Sequence, residues 1–260
     1  MNIFVFVKRV PDTESKIRIN HETNSIEEEG LNFVLSPYDE YAVEEALRIR
    51  EAKEGKVTIL SVGPEETTVV LKKCLAMGAD EAVLIKADTP ELYDGLPIAK
   101  IIAHAMKTKF ADYSILLFGK QSVGADNAQI PAMVAAILGL PQINVVTKLE
   151  IDGNSAVAHR EIEGASEKIN FPLPAVVSAQ KGLNEPRYET LKGIMMAKKK
   201  EIPVWTLQEL GLDDGVLVSQ LELVLLESPP ARQAGTVIED EPETAAKRMV
   251  AFLRNEAKVV

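Results

Sequence analysis

Four short apolar runs, each handing over to a stretch with helical spacing, constrain this chain more than any other feature. They are NIFVFVKRV from Asn2, KVTILSVG from Lys56, EAVLIKA from Glu81 and YSILLFGK from Tyr113. Runs this short and this rich in Val, Ile and Phe read as buried strands. Strands alternating with helices of about 12 to 18 residues need right-handed crossovers and helices on both faces of the sheet. The pattern specifies an α/β fold with a doubly wound, mostly parallel sheet.

The helix signals agree. Ser36 can cap the first helix, Pro37 suits its first position, Asp39 and Glu40 favour the positive end of its dipole, and Gly55 ends it. PEETTVVLKKCLAM reads as a helix stopped by Gly78, GLPIAKIIAHAMKTKF as another, and a further helix starts near Asp126 or Asn127 and runs through MVAAILGL. KIRINHETNSIEEEG suggests a hairpin flap around an Asn-Ser turn. Beyond about residue 146, TKLEIDGNSAVAHREIEG and EKINFPLPAVVSAQ alternate about an Asp-Gly-Asn turn and predict added antiparallel strands. The pattern weakens near residue 180, so the expected division is a nucleotide-binding α/β domain over 1–180 and an arm over 181–260. The arm holds IPVWTLQELGL, a Pro-rich ESPPARQAG and a terminal helix ETAAKRMVAFLRNEAK. It reads as packing on a partner chain, with a swapped homodimer arm or a disordered tail as the alternatives.

Composition narrows the chemistry. The 260 residues, 46% apolar, suffice for a full core, and a net charge of −10 repels nucleic acid, so no nucleic-acid partner is expected. Cys74 is the only cysteine and sits in what reads as the packed end of a helix, which leaves no disulfide framework. His21, His104 and His159 lack metal-ligand spacing, and no metal site is expected. The amino-terminal apolar run is short and its basic residues follow it, so it does not read as a signal peptide. No run approaches the eighteen apolar residues a membrane span needs. The expected location is the cytoplasm, without membrane insertion.

In a parallel sheet, ligands bind beyond the carboxyl ends of the strands, where the winding reverses. The loops there are VKRVPDT, LSVGPEE and FGKQSVGADNAQIP. The last sets Gly119 and Gly124 before a helix start rich in Ser, Asp, Asn and Gln, where backbone N–H groups and the dipole can hold a phosphate. It matches neither a Walker loop nor a G-x-G-x-x-G fingerprint, and a plain Gly-containing connection is the other reading. No nucleophile and base stand together, and Glu161 and Glu163 read as a solvated strand face. No catalytic residue is assigned.

Four stretches carry a resemblance. They are VKRVPDTESKIRI, SPYDEYAVEEALRIRE with LAMGAD, GKQSVGADNAQ, and AHREIEGASEKINFPLPAVVSAQKGLNEPRYETLKGIMMAKKK. Over nearly its whole length the chain resembles the β subunit of electron transfer flavoprotein. The resemblance implies an adenine nucleotide α-hydrolase-like, Rossmann-like fold, and an electron carrier subunit rather than an enzyme by itself. It implies a heterodimer with an α subunit that holds most of the redox FAD, while this chain binds structural AMP. Electrons would pass from acyl-CoA dehydrogenases or similar flavin dehydrogenases to a membrane quinone oxidoreductase.

By position, the resemblance puts AMP contacts at Phe6, Ser36, Pro37, Tyr38, Asp39 and Val62. They continue along Gly119, Lys120, Gln121, Ser122, Val123, Gly124, Ala125, Asp126, Asn127, Ala128, Gln129 and Ile130. Thr13 and Tyr38 fall near the flavin edge, and Glu161 where a carboxylate meets the α subunit's flavin domain. The segment after the NEPRY turn is implied to dock the dehydrogenase, with Leu191 as anchor. Ile194, Met195 and Met196 would add apolar contact, and Lys198, Lys199 and Lys200 would steer toward acidic partners. A basic helix end complementing its own dipole is the competing reading of the lysines. Arg187 and Tyr188 fit either the turn or the partner. The chain departs from the family pattern at Ala125, Ala128, Ile130 and Pro131, which leaves the helix start less polar. Two alternatives remain: a β subunit of an electron-bifurcating flavoprotein with a second FAD in place of AMP, oxidising NADH, and a stand-alone adenine-nucleotide sensor. TPELYDGLPIA and SVGADNAQIP stand where the bifurcating members carry flavin-cradling residues, and favour AMP.

Overall fold

A computed structural model describes residues 1–87, 94–230 and 235–260. Residues 89–93 of the TPELYDGLPIA stretch weighed against a second flavin, and part of the Pro-rich ESPPARQAG, lie outside them. Two compact units are present, Met1–Leu225 and Leu226–Val260. The first holds a nine-stranded sheet in the order β11-β10-β9-β12-β8-β1-β6-β7-β13.

The expected apolar runs form the parallel strands β1 (Asn2–Phe6), β6 (Lys56–Gly63), β7 (Glu81–Lys86) and β8 (Ile115–Gly119). Between β1 and β6 lie the short pairs β2 (Arg9–Pro11) with β5 (Phe33–Leu35), and β3 (Ile19–Asn20) with β4 (Ser25–Ile26), the expected flap, followed by helix α1 (Pro37–Lys53). Helices α2 (Thr68–Met77), α3 (Gly95–Thr108) and α4 (Ile130–Leu138) complete the crossovers. Side chains on a strand alternate between faces, and the core divides accordingly. Ile3, Val5, Ile59 and Leu117 pack with Ala46 and Leu47 of α1 and with Leu71 and Cys74 of α2. Phe4, Phe6, Leu60 and Phe118 pack with Ile102 and Met106 of α3 and with Val134 of α4. Burial raises the Cys74 thiol well above its ordinary range, which makes it a poor nucleophile.

The added strands differ in part from the expectation. β10 (Ser155–Ile162) and β11 (Ala165–Pro172) are antiparallel, but β9 (Gln142–Asp152) and β12 (Ala175–Ala179) run parallel to one another, and β12 joins β8. β11 ends at Pro172, Pro174 follows before β12, and AVVSA is wholly buried, as suits an interior parallel strand. A further difference is at α4, which starts at Ile130 rather than Asp126. Positive φ at Asp126 and Ala128 breaks helical geometry upstream of Pro131. Ser36 stands at the α1 N-cap, yet its side chain makes no capping bond.

Beyond residue 180 the chain stays with the sheet. Leu183, α5 (Leu191–Ala197) and Ile202 cover the α1 and α2 face, then β13 (Val204–Trp205) pairs with β7, and Leu207 and Leu210 pack on the opposite face. Residues 180–203 thus form a belt from β12 to β13, crossing five inter-strand steps, about 24 Å. The first unit continues to Leu225, past the expected boundary, because the belt and β13 are built into it. The second unit contains α6 (Pro242–Asn255), which buries no residue and exposes Met249, Val250 and Phe252. Among the described residues no helix is long and apolar enough to cross a membrane, and no His, Cys, Asp or Glu group could hold a metal ion.

Candidate functional site: the strand-end cradle and the exposed helix

The chain builds outward from β1 through β6 to β7 and then returns to β8 on the other side of β1. The reversal at β1 and β8 is where a doubly wound sheet opens for a ligand. Asp39, in the first turn of α1, closes it from behind. Its carboxylate accepts from the Lys8 N–H at 2.8 Å and the Gly119 N–H at 3.1 Å, joining the ends of both strands. Gly119 is required here: a Cβ would meet the Asp39 carboxylate and would lie 2.7 Å from the Tyr38 carbonyl carbon and 2.8 Å from the Asp39 nitrogen.

Burial pushes the Asp39 carboxyl up to about 7, the two backbone N–H bonds opposing it. Its folded pKa thus exceeds its unfolded value, so the folded state holds the extra proton between about pH 4 and 7. That contribution is complete below the unfolded value and is lost as pH rises through 7. Asp39→Asn, which cannot titrate, is therefore expected to flatten the fall in stability between pH 5 and 7.5. Urea midpoints at both pH values check this, and parallel slopes in the two proteins would refute it.

The β8–α4 loop supplies the polar rim. Residues 124–129 are exposed, Asp126 N–H donates to the Ser122 carbonyl at 3.0 Å, and the Gln121 amide donates to Asp126 at 2.8 Å. Ala128, at φ 51°, precedes Gln129 in right-handed conformation at the α4 N-cap. Successive residues of opposite hand turn their N–H groups into one concavity, a nest for an anion. The start of α3 lies beside it, since a Cβ on Gly95 would be 3.2 Å from Ile130. The α3 start is already capped by the Asp94 carboxylate, which accepts from the Leu96 N–H at 2.9 Å, so the end that favours a ligand's negative charge is that of α4.

Of the positions expected to touch a nucleotide, Phe6 is in the core, stacked on Phe118 with centroids 4.4 Å apart, so only its backbone is available. Val62 and Pro37 are half-buried, as is Tyr38, whose ring lies under the Lys120 ammonium at 5.6 Å. Ser36 Oγ is buried and has no hydrogen-bond partner among the described residues. A buried hydroxyl of this kind needs one, and a ligand's polar group at the α1 start would supply it. Thr13 and Glu161 are both exposed. Arg160 pairs with Val146 and Val146 with Ala179, which itself pairs with Gly119, so Glu161 stands near the level of the strand ends. It is three strands from β8, about 14 Å. Thr13, Tyr38 and Glu161 thus share the carboxyl-end side of the sheet without forming one cluster.

On the belt, Leu191, Met195 and Met196 are 84%, 66% and 54% exposed, and Tyr188 is 94% exposed. Lys198 and Lys199 are exposed as well. Two expected docking residues face inward instead. Ile194 packs against the core, and Lys200 Nζ donates to the Ala79 and Asp80 carbonyls at 3.0 and 2.8 Å, in the turn between α2 and β7. The basic helix end is therefore divided between one lysine bonded to the body of the protein and two exposed to solvent. Arg187 binds Glu44 and Glu51 of α1, and Asn184 binds Glu45 and the Tyr41 carbonyl. Arg187 serves the turn, and Tyr188 is left outward. Glu44 and Glu45 were hidden in the sequence by their resemblance to ordinary solvent residues, although both are buried. The Asn and Arg of NEPR were the available signal.

A family model for the electron transfer flavoprotein domain matches residues 23–210. The chain is 42% identical over 264 residues to the electron transfer flavoprotein subunit beta of Bacillus subtilis, covering all of both chains. To the subunit of the same name from Syntrophomonas wolfei it is 37% identical over 260 residues, covering all of this chain and 98% of that one. To that of Bradyrhizobium diazoefficiens it is 35% identical over 261 residues, covering all of both.

The chain belongs to the electron transfer flavoprotein β subunit family. The four positions expected to depart from the family pattern lie at the β8–α4 loop, whose geometry suits two of the residues found there. Ala128 holds a left-handed φ without needing a polar side chain, and Pro131 sits in the first turn of α4, where its missing N–H costs no helical bond. Ile130 packs against the Phe4 and Phe6 face. Nothing in the structure explains Ala125.

Proposed function

We propose that this chain is the β subunit of a heterodimeric electron transfer flavoprotein that binds AMP at the strand-end cradle. It supports a FAD held mainly by the α subunit and accepts electrons from acyl-CoA or similar flavin dehydrogenases for delivery to a membrane quinone oxidoreductase. The observation that carries the AMP assignment is the cradle: the buried, unpartnered Ser36 hydroxyl at the start of α1, with the anion nest at Ala128 and Gln129. Backbone N–H groups of the 121–130 loop would hold the phosphate, and the closed approach of Asp39 to Gly119 would fix the floor beneath it. A bound flavin supplies the electron-accepting and electron-donating chemistry.

What this chain contributes to transfer is placement. Tyr38 and Thr13 would border the flavin edge, Glu161 would meet the α subunit, and the carboxyl-terminal unit would pack on that subunit through the open apolar side of α6. Leu191, Met195 and Met196 would seat the dehydrogenase, with Lys198 and Lys199 steering the encounter.

The test is to purify the heterodimer, release its ligands by denaturation and count them. One FAD and one AMP are expected per heterodimer. Two FAD and no AMP would overturn the cradle's assignment and make the chain part of a bifurcating protein.

A further inference from the structure

We infer that Arg187 is a positioning residue for electron transfer, whose fork across Glu44 and Glu51 sets where Leu191 stands on the surface. The inference rests on the docking role proposed for the belt and names what holds that surface in register.

The helix that presents the exposed side chains is only seven residues long, too short to persist without tertiary support. Its support comes at three points. At the far end Lys200 binds the turn after α2, and Ile194 and Ala197 pack inward. In the middle α5 meets α2 at Gly193, where a Cβ would collide with the Ala76 carbonyl. At the near end the helix itself offers only the Thr190 hydroxyl, which accepts from the Gly193 N–H at 2.9 Å. What ties this end to the body of the protein is the NEPR turn: Asn184 donates to Glu45 and to the Tyr41 carbonyl, the Arg187 N–H donates to Glu44 at 3.1 Å, and the Arg187 guanidinium makes the remaining bonds. Its Nε and Nη2 donate to the two oxygens of Glu44 at 2.8 and 3.0 Å. Its Nη1 and Nη2 donate to those of Glu51 at 2.6 and 3.2 Å.

Four of the five guanidinium N–H donors are thereby turned toward α1. Arg187 has little left to offer a partner directly, and it acts through the chain it anchors. Three residues separate it from Leu191, so freeing its guanidinium loosens the near end of α5, leaving the backbone bond to Glu44 and the Asn184 bonds, while Ile194, Ala197 and Lys200 keep the far end seated. The consequence falls on Leu191 first.

The test is a double-mutant cycle on the intact, FAD-loaded heterodimer, used as electron acceptor for an acyl-CoA dehydrogenase reduced by octanoyl-CoA. Arg187→Met is expected to raise the KM for the flavoprotein about tenfold with kcat and FAD content unchanged. In a Leu191→Ala background the same substitution is expected to change KM by less than about twofold, because the anchor it positions is already gone. Arg187→Lys keeps the charge and loses the fork, and is expected to recover only a minor part of the loss. Glu51→Gln, at a half-exposed site, weakens one arm of the fork without threatening the fold and is expected to raise KM about threefold. It substitutes for Arg187→Met in the cycle if that variant does not assemble. Additive effects of position 187 and Leu191, or full rescue by lysine, would overturn the inference while leaving the docking reading intact. A Leu191→Ala variant that transfers electrons normally would instead remove the docking reading and this inference with it.

Discussion

Leu191→Ala is expected to raise the KM of the flavoprotein toward its dehydrogenase about thirtyfold, the ~2 kcal/mol that separates an interface anchor from its neighbours. Leu191 is 84% exposed, on the outward side of a helix whose inward side already packs through Ile194 and Ala197. A large apolar group so placed contributes nothing to its own core, so truncating it should leave folding and cofactor content alone. The loss should therefore appear in electron acceptance only. Stopped-flow reduction by a dehydrogenase at several flavoprotein concentrations measures it, and an unchanged KM would end the docking reading. The lysines should behave differently. Removing Lys198 or Lys199 should lower the association rate and its salt dependence, since both lie where solvent screens them.

Gly119→Ala should produce the largest loss of stability, about 3 kcal/mol, together with loss of the bound nucleotide. The added methyl has nowhere to go: besides the Asp39 carboxylate it meets the Tyr38 and Asp39 backbone, and backbone cannot swing aside as a side chain can. The start of α1 must retreat, and with it the bonds from Asp39 to Lys8 and Gly119. Gly124→Ala is the control. Open space surrounds Gly124, but its φ is 99°, so only conformational strain of about 1–2 kcal/mol applies. Thermal unfolding and nucleotide counting on both variants decide the matter. Retention of nucleotide and melting temperature in Gly119→Ala would show that the close approach is not needed.

What could be read from the sequence follows from the range of each interaction. β1, β6, β7 and β8 were readable because a strand buried on both faces is a continuous apolar run. The place of β12 beside β8 was not, because AVVSA looks the same whichever strand it joins. Asp39 looked like a partner for the helix dipole. Its actual partners are the backbone of Lys8, 31 residues away, and of Gly119, 80 residues away. Lys198, Lys199 and Lys200 formed one basic run in the sequence, and only the fold brings the last of them onto the turn after α2. The polar loop from Gly119 could be read as a place for a phosphate, but the positive φ at Ala128 could not be read, since alanine carries no sign of it.

The belt over 180–203 starts from one sheet strand and ends in another. A segment fastened at both ends is ordered once, by its fastenings, and its outward residues then carry no duty to the fold. Leu191, Lys192, Met195, Met196, Lys198 and Lys199 can therefore be exchanged as a set while Arg187, Gly193, Ile194, Ala197 and Lys200 stay. If the proposed docking holds, partner choice is a trait that can be inherited or transplanted separately from the strand-end cradle, and a chain of this build can acquire a new electron donor without relearning how to fold.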